Sequence, residues 1–197
     1  MRLTGEPGVA TSDWELVQRS QAGDHEAFRE LVERYQRKIA ALALGMLRNR
    51  EDASDVVQET FAKAYTNLDR FKGDSALYTW LYRIAFNLCV DHQRRDSRHT
   101  TVPLEVDERG GSPLPLPEGE PPRDDPFERT RDSEIRQQLD EAIRSLTPEH
   151  RAVILLREIE GLSYEEISHV LQVPKGTVMS RLHYARRQLQ TRLRSVL

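Results

Sequence analysis

The sequence predicts an all-α protein of two helical domains, a helix bundle and a helix-turn-helix domain joined by a Pro-rich linker, and three observations lead there. Apolar residues recur three and four apart through residues 12–98 and again through 134–197. No alternating pattern of useful length signals a strand. Between the two stretches lie seven of the ten prolines, with Gly110, Gly111 and Gly119, a density that no helix or central strand survives. That segment, 99–133, carries nine acids against four arginines and little that could form a core, so it reads as a flexible acidic linker.

Ser12 and Glu15 have the spacing of a capping box and open a first helix. Asp24 is placed to cap a second, whose inward residues are Phe28, Leu31, Val32 and Tyr35, then Ile39, Leu42 and Met46. A third buries Val56, Val57, Phe61 and Ala64, and a fourth Leu81, Ile84, Ala85 and Leu88. Past the linker the apolar series is Ile135, Leu139 and Ile143, then Val153, Leu156 and Ile159, with Thr147 as cap and Pro148 suited to a first helical position. Ser163 with Glu166 repeats the capping-box spacing and starts a short helix, Tyr164 to Leu171. A turn at Gln172 to Pro174 leads into a longer helix from about Lys175 to Leu193, with Val178, Leu182, Ala185 and Leu189 inward. The two halves show no internal repeat.

Composition excludes several classes of function. The chain has 197 residues, 38% hydrophobic and 31% charged, with a mean hydropathy of -0.66. No apolar run approaches the roughly 18 to 20 residues of a membrane span, and the first ten residues lack signal-peptide order, so a cytoplasmic protein without direct membrane insertion is expected. One cysteine, Cys89, rules out an intrachain disulfide, and the histidines fall in no zinc spacing. No metal, cofactor or enzymatic activity is expected, since no glycine-rich phosphate loop and no nucleophile with a base stands out.

The formal net charge of -3 argues at first against nucleic acid, but the average conceals the distribution. Residues 12–98 are balanced, the linker is at -5, and 134–197 are at +2. Glu166 is the last acid; Lys175, Arg181, Arg186, Arg187, Arg192 and Arg194 follow it. On the exposed face of the last helix Lys175, Thr177, Ser180, Arg181, His183, Tyr184 and Arg187 offer donors for base edges and phosphates, and Gly176 lets the backbone approach closely. A helical hairpin with a merely solvated basic face is the plainer alternative.

In the first domain Asp52, Asp55, Gln58 and Glu59 fall three or four apart and form an acidic stripe suited to a basic partner, or simply a solvated face. Residues 71–87 hold Phe71, Tyr78, Trp80, Tyr82 and Phe86 among Lys72, Arg83 and Asn87. The fourth helix already has a buried stripe, so Tyr78, Trp80 and Tyr82 cannot all point inward along it. Exposed rings beside bases hold unpaired nucleotides: one stacked base is worth roughly 1 to 3 kcal/mol against about 1.4 kcal/mol for separating a DNA step. The loop with Gly73 and Ser75 could receive a flipped base. An autonomous helix-turn-helix regulator would leave this run unused.

The motifs Asp52 to Phe61, Thr79 to Ala85, Leu162 to Ile167 and Pro174 to Leu182 together resemble bacterial RNA polymerase sigma factors of the extracytoplasmic function (ECF) group, nearest to the envelope-stress sigma-E type. The resemblance covers most of both helical domains. It implies a sigma factor that directs RNA polymerase core to specific promoters and stabilises promoter melting. It assigns Asp52, Asp55, Gln58 and Glu59 to the beta-prime clamp helices of the polymerase. Phe71, Lys72, Gly73, Ser75, Tyr78, Trp80, Arg83 and Asn87 are assigned to the melted -10 element, and Lys175, Gly176, Thr177, Ser180, Arg181, His183, Tyr184 and Arg187 to the -35 duplex. A membrane-anchored anti-sigma factor is a further implied partner. Met179 and Tyr184 depart from the arginines that such proteins often carry there, so a -35 consensus does not transfer.

Overall fold

A computed structural model describes residues 11–47, 49–99, 135 and 137–194, and the linker expectation lies outside them. Among the described residues every regular element is helical. In the first half these are α1 (Asp13–Gln21), α2 (His25–Met46), α3 (Arg50–Asn67), a 3-10 turn (Leu68–Arg70) and α4 (Leu77–His99). The second half has α5 (137–144), α6 (Pro148–Ile154) running into a π-helical turn (Leu155–Ile159), α7 (Tyr164–Leu171) and α8 (Lys175–Leu193).

The helix starts follow local side-chain chemistry. The Ser12 hydroxyl accepts from Glu15 N–H at 3.2 Å, and Asp24 accepts from the Glu26 and Ala27 amides. Thr147 caps α6, with Pro148 in its first turn. At α7 the capping box is reciprocal: Ser163 Oγ accepts from Glu166 N–H while Ser163 N–H donates to Glu166 Oε2. The turn into α8 puts Gln172 at a φ of +52°, a conformation a side chain adopts at some cost. The turn is held by Ser168 Oγ donating to Val173 O at 2.6 Å.

Helices α2, α3 and α4 form the first bundle, and α1 lies across α2. Asp13 ties that pair, accepting from Arg34 and from the Tyr35 hydroxyl. On α4 the buried residues are Leu77, Thr79, Leu81, Tyr82, Ala85, Leu88 and Cys89, whereas Ile84 is only half-buried. The stripe is shifted and widened because α4 is covered from two directions, by α2 and α3 on one side and by α7 on the other.

That second contact joins the halves into one continuous core. Helix α2 meets α6 and the π-helical turn at Gly45, where an added Cβ would stand 2.7 Å from Leu155 Cδ1. A larger residue there would hold the helices apart. Buried Arg151 donates across the junction to Met46 O at 2.9 Å, and within its own half to the carbonyls of Ile143, Arg144 and Leu146. Tyr82 and Tyr78, both on α4, donate to Glu160 and Glu166.

Candidate nucleic-acid interface

Three surfaces carry the residues singled out in the sequence. On α3, Asp55, Gln58 and Glu59 are exposed and Asp52 is half-buried, on the side opposite Val56 and Phe61. Glu59 pairs with Lys63 at 2.9 Å, and Asp52 lies 3.9 Å from His92 Nε2 of α4. The remaining acidic surface faces solvent.

The loop between the 3-10 turn and α4 exposes Lys72 and Gly73, while Ser75 is half-buried. Gly73 has a φ of +79°, and a Cβ there would stand 3.0 Å from Trp14 Cζ3, so both backbone conformation and space call for glycine. Phe71 is buried, its ring centroid 6.4 Å from that of Trp14 and 5.1 Å from that of Trp80. In this arrangement Phe71 supports the loop from beneath. Two residues that the sequence did not single out also shape the loop. Gln21 donates to the carbonyls of Leu68 and Phe71, and Trp14 walls the glycine. The signal for Gln21 is absent from local sequence, since its acceptors are about fifty positions away.

Helix α4 presents two faces. Trp80, Arg83 and Asn87, three and four apart, share a face on which Trp80 and Arg83 are half-buried and Asn87 is exposed. Tyr78 and Tyr82, four apart, turn to the second half. Tyr82 is 2% exposed, and burial, followed by its bond to Glu160, pushes its phenol far above the ordinary range. Tyr78 is half-buried, its phenol raised first by the bond to Glu166. Burial raises the Glu160 carboxyl against the opposing effects of Tyr82 and Lys38. The hydrogen bond from Tyr78 instead lowers Glu166.

On α8, Val178, Leu182 and Ala185 pack inward. Lys175, Gly176, Ser180, His183, Tyr184 and Arg187 are exposed, and Thr177 and Arg181 half-buried. Lys175 pairs with Glu165 at 2.7 Å and Arg186 with Glu158 at 2.6 Å, so part of the terminal positive charge is held by acids of the same domain. No described helix is long and apolar enough to cross a membrane.

Comparison with known proteins divides the chain at the same place. Residues 31–99 match Sigma-70 region 2, and residues 136–189 match Sigma-70, region 4. The ECF RNA polymerase sigma-E factor of Escherichia coli (strain K12) is 40% identical over 192 residues, covering 94% of this chain and 96% of that protein. Its counterpart in Haemophilus influenzae is 38% identical over 189 residues, covering 94% of this chain and 97% of that protein. Among solved structures, CnrH in complex with the cytosolic domain of CnrY aligns with a TM-score of 0.67 at 26% identity, over 93% of this chain and 97% of CnrH. RpoE of Bartonella quintana, in complex with the anti-sigma factor NepR, aligns with a TM-score of 0.66 at 26% identity, over 85% of this chain and 96% of RpoE.

Proposed function

The chain belongs to the ECF group of sigma-70 family factors, which direct RNA polymerase core to promoters, and from that premise we propose how its surfaces divide the work. The acidic stripe Asp52, Asp55, Gln58 and Glu59 docks on the beta-prime clamp helices. The loop at Lys72, Gly73 and Ser75, with Trp80, Arg83 and Asn87 on one face of α4, holds the unpaired strand of the -10 element. Gly73 supports this role, because its positive φ and the close approach of Trp14 fix the turn of an exposed loop beside Lys72. Helix α8 reads the -35 element as duplex, its exposed donors reaching base edges and phosphates. The work is binding alone: the free energy of these contacts offsets strand separation, with no covalent step.

The reading is carried by one observation: the region 2 likeness falls on the bundle with the acidic stripe and aromatic loop, and the region 4 likeness on the helix pair with the exposed donor face. Use of Tyr78 by DNA requires α7 to leave α4, because its hydroxyl is committed to Glu166 in the packed arrangement. The linker of residues 99–133 is long enough for the separation, since about 35 residues can reach on the order of 115 Å. The packed arrangement is therefore the form off the promoter. An anti-sigma factor is a natural partner of that form, as CnrH and RpoE are each bound to such a protein or to CnrY in the structures this chain resembles. The site of action is the cytoplasm, where polymerase and promoters are.

Reconstitution tests the reading. Purified protein added to core polymerase gives transcription from a subset of promoters, and no stimulation on any promoter would overturn it.

A further inference from the structure

Helix α8 carries a large apolar side chain where a DNA-reading face is expected to be polar. Met179 is 53% exposed, although Val178, Leu182 and Ala185 already fill the inward side of the same helix. It sits at the fifth position of α8, within the first turn and a half, where recognition helices bring side chains to base edges. Its neighbours around the exposed arc, Ser180 and His183, are polar and exposed. Beside them runs an open groove that Met179 lines with Tyr164, Arg186 and Arg187. The methionine thus stands at the lip of a groove walled by Arg187 and by Arg186, the latter paired with Glu158.

In the major groove, guanine presents acceptors, adenine an acceptor and a donor, and cytosine a donor; the C5-methyl of thymine is the apolar group on offer. A thioether side chain has no donor for those acceptors and only a weak acceptor sulfur for those donors, so it pairs poorly with all three. Pressed against them it would strip water from polar edges without replacing it. Against a thymine methyl the same contact removes two apolar surfaces from water. Met is also flexible enough to follow the position of the methyl. We propose that Met179 is a specificity-determining residue that reads the C5-methyl of a thymine in the -35 duplex. The proposal rests on the assignment of α8 to that duplex, and it goes further by naming the group recognised.

The test uses holoenzyme made from core polymerase and the full chain. Promoters are selected from a pool randomised over the -35 element. In a selected promoter each thymine of that element is then replaced, one at a time and on either strand, by deoxyuridine, which lacks only the methyl. Burying one methyl group is worth a factor of about four in binding, so open-complex formation at one position falls about fourfold with the wild-type chain. With Met179→Ala that position becomes insensitive to deoxyuridine, and Met179→Arg shifts the selected base pair towards guanine. Met179 is exposed, so both variants keep the fold, and binding of a single-stranded -10 oligonucleotide by the holoenzyme serves as the check. Absence of a deoxyuridine-sensitive position, or equal sensitivity in wild type and Met179→Ala, overturns the proposal while transcription itself continues. Loss of all transcription with the wild-type chain would instead overturn the sigma-factor reading.

Discussion

Replacing Tyr82 with phenylalanine isolates one of the two tyrosine hydrogen bonds that tie α4 to the second domain. The ring is buried and keeps its shape in the variant, so the perturbation is the single hydroxyl that donates to Glu160. A hydrogen bond to a charged group is worth about 1.5 to 3 kcal/mol. Glu160 is only half-buried and water can reach its carboxylate once the donor is gone, which brings the cost to about 1 to 2 kcal/mol. Because donor and acceptor belong to different domains, this cost falls on their docking, shifting the packed-to-separated ratio by roughly 5- to 30-fold. Fluorescent labels at Gln36→Cys on α2 and Gln188→Cys on α8, both exposed, report the distance between domains. The native thiol does not interfere: Cys89 is buried and its pKa is pushed up to about 12 by that burial. An unchanged energy-transfer distribution in Tyr82→Phe would refute the assignment of Tyr82 and Glu160 as a latch.

The same labels read a pH dependence whose sign the two acids set in opposite directions. Glu160 has its carboxyl raised in the packed form, so docking gains strength as pH falls from neutral and loses it as pH rises through that raised value. Glu166 has its carboxyl lowered, so its share is present above the ordinary value of 4.5 and is lost as pH falls through the lowered one. Docking is therefore stronger in mild acid than at neutral pH, and it weakens again in stronger acid as Glu166 takes up its proton. In Tyr82→Phe the downward influence of the hydroxyl on Glu160 disappears, and the weakening from mild acid to neutral steepens. A pH response identical to wild type would count against the same assignment.

Three further outcomes are expected. Gly45→Ala places a methyl 2.7 Å from Leu155 Cδ1, and overpacking of about 1 to 3 kcal/mol separates the domains in the energy-transfer assay. Gly73→Ala forces a side chain into a positive φ against Trp14 at about 1 to 2 kcal/mol, and open-complex lifetime shortens while core binding measured by fluorescence anisotropy is unchanged. Asp55→Lys combined with Glu59→Lys weakens binding to core polymerase by about tenfold or more and increasingly so at low salt, whereas a loss confined to DNA binding would contradict the role given to α3.

The starts of α1, α2, α6 and α7 were legible because caps are local, whereas Asn49 at the start of α3 went unread. Ser12, Asp24, Thr147 and Ser163 each meet a backbone amide two or three residues away, and the start of α8 after Pro174 agrees with the periodicity. The faces of α8 were readable for the same reason, since one buried side leaves the other for a partner. The face of α4 was not, because its periodicity serves two neighbours at once: Tyr82 is buried, and Ile84 gives up part of its place in the stripe. Acids 78 and 88 positions away from their tyrosines look like ordinary solvated charges until the chain is folded. Glu166 shows why sequence alone credits such a residue with half its work. Its carboxylate closes the capping box of α7 and also receives the Tyr78 hydroxyl. Truncating Glu166 to alanine would loosen α7 and the domain junction together. Glu160 closes the π-helical turn through its backbone N–H alone and its side chain caps no helix, so removing the Tyr82 hydroxyl leaves every backbone cap intact, and Tyr82→Phe is the variant that separates docking from the stability of the helix-turn-helix itself.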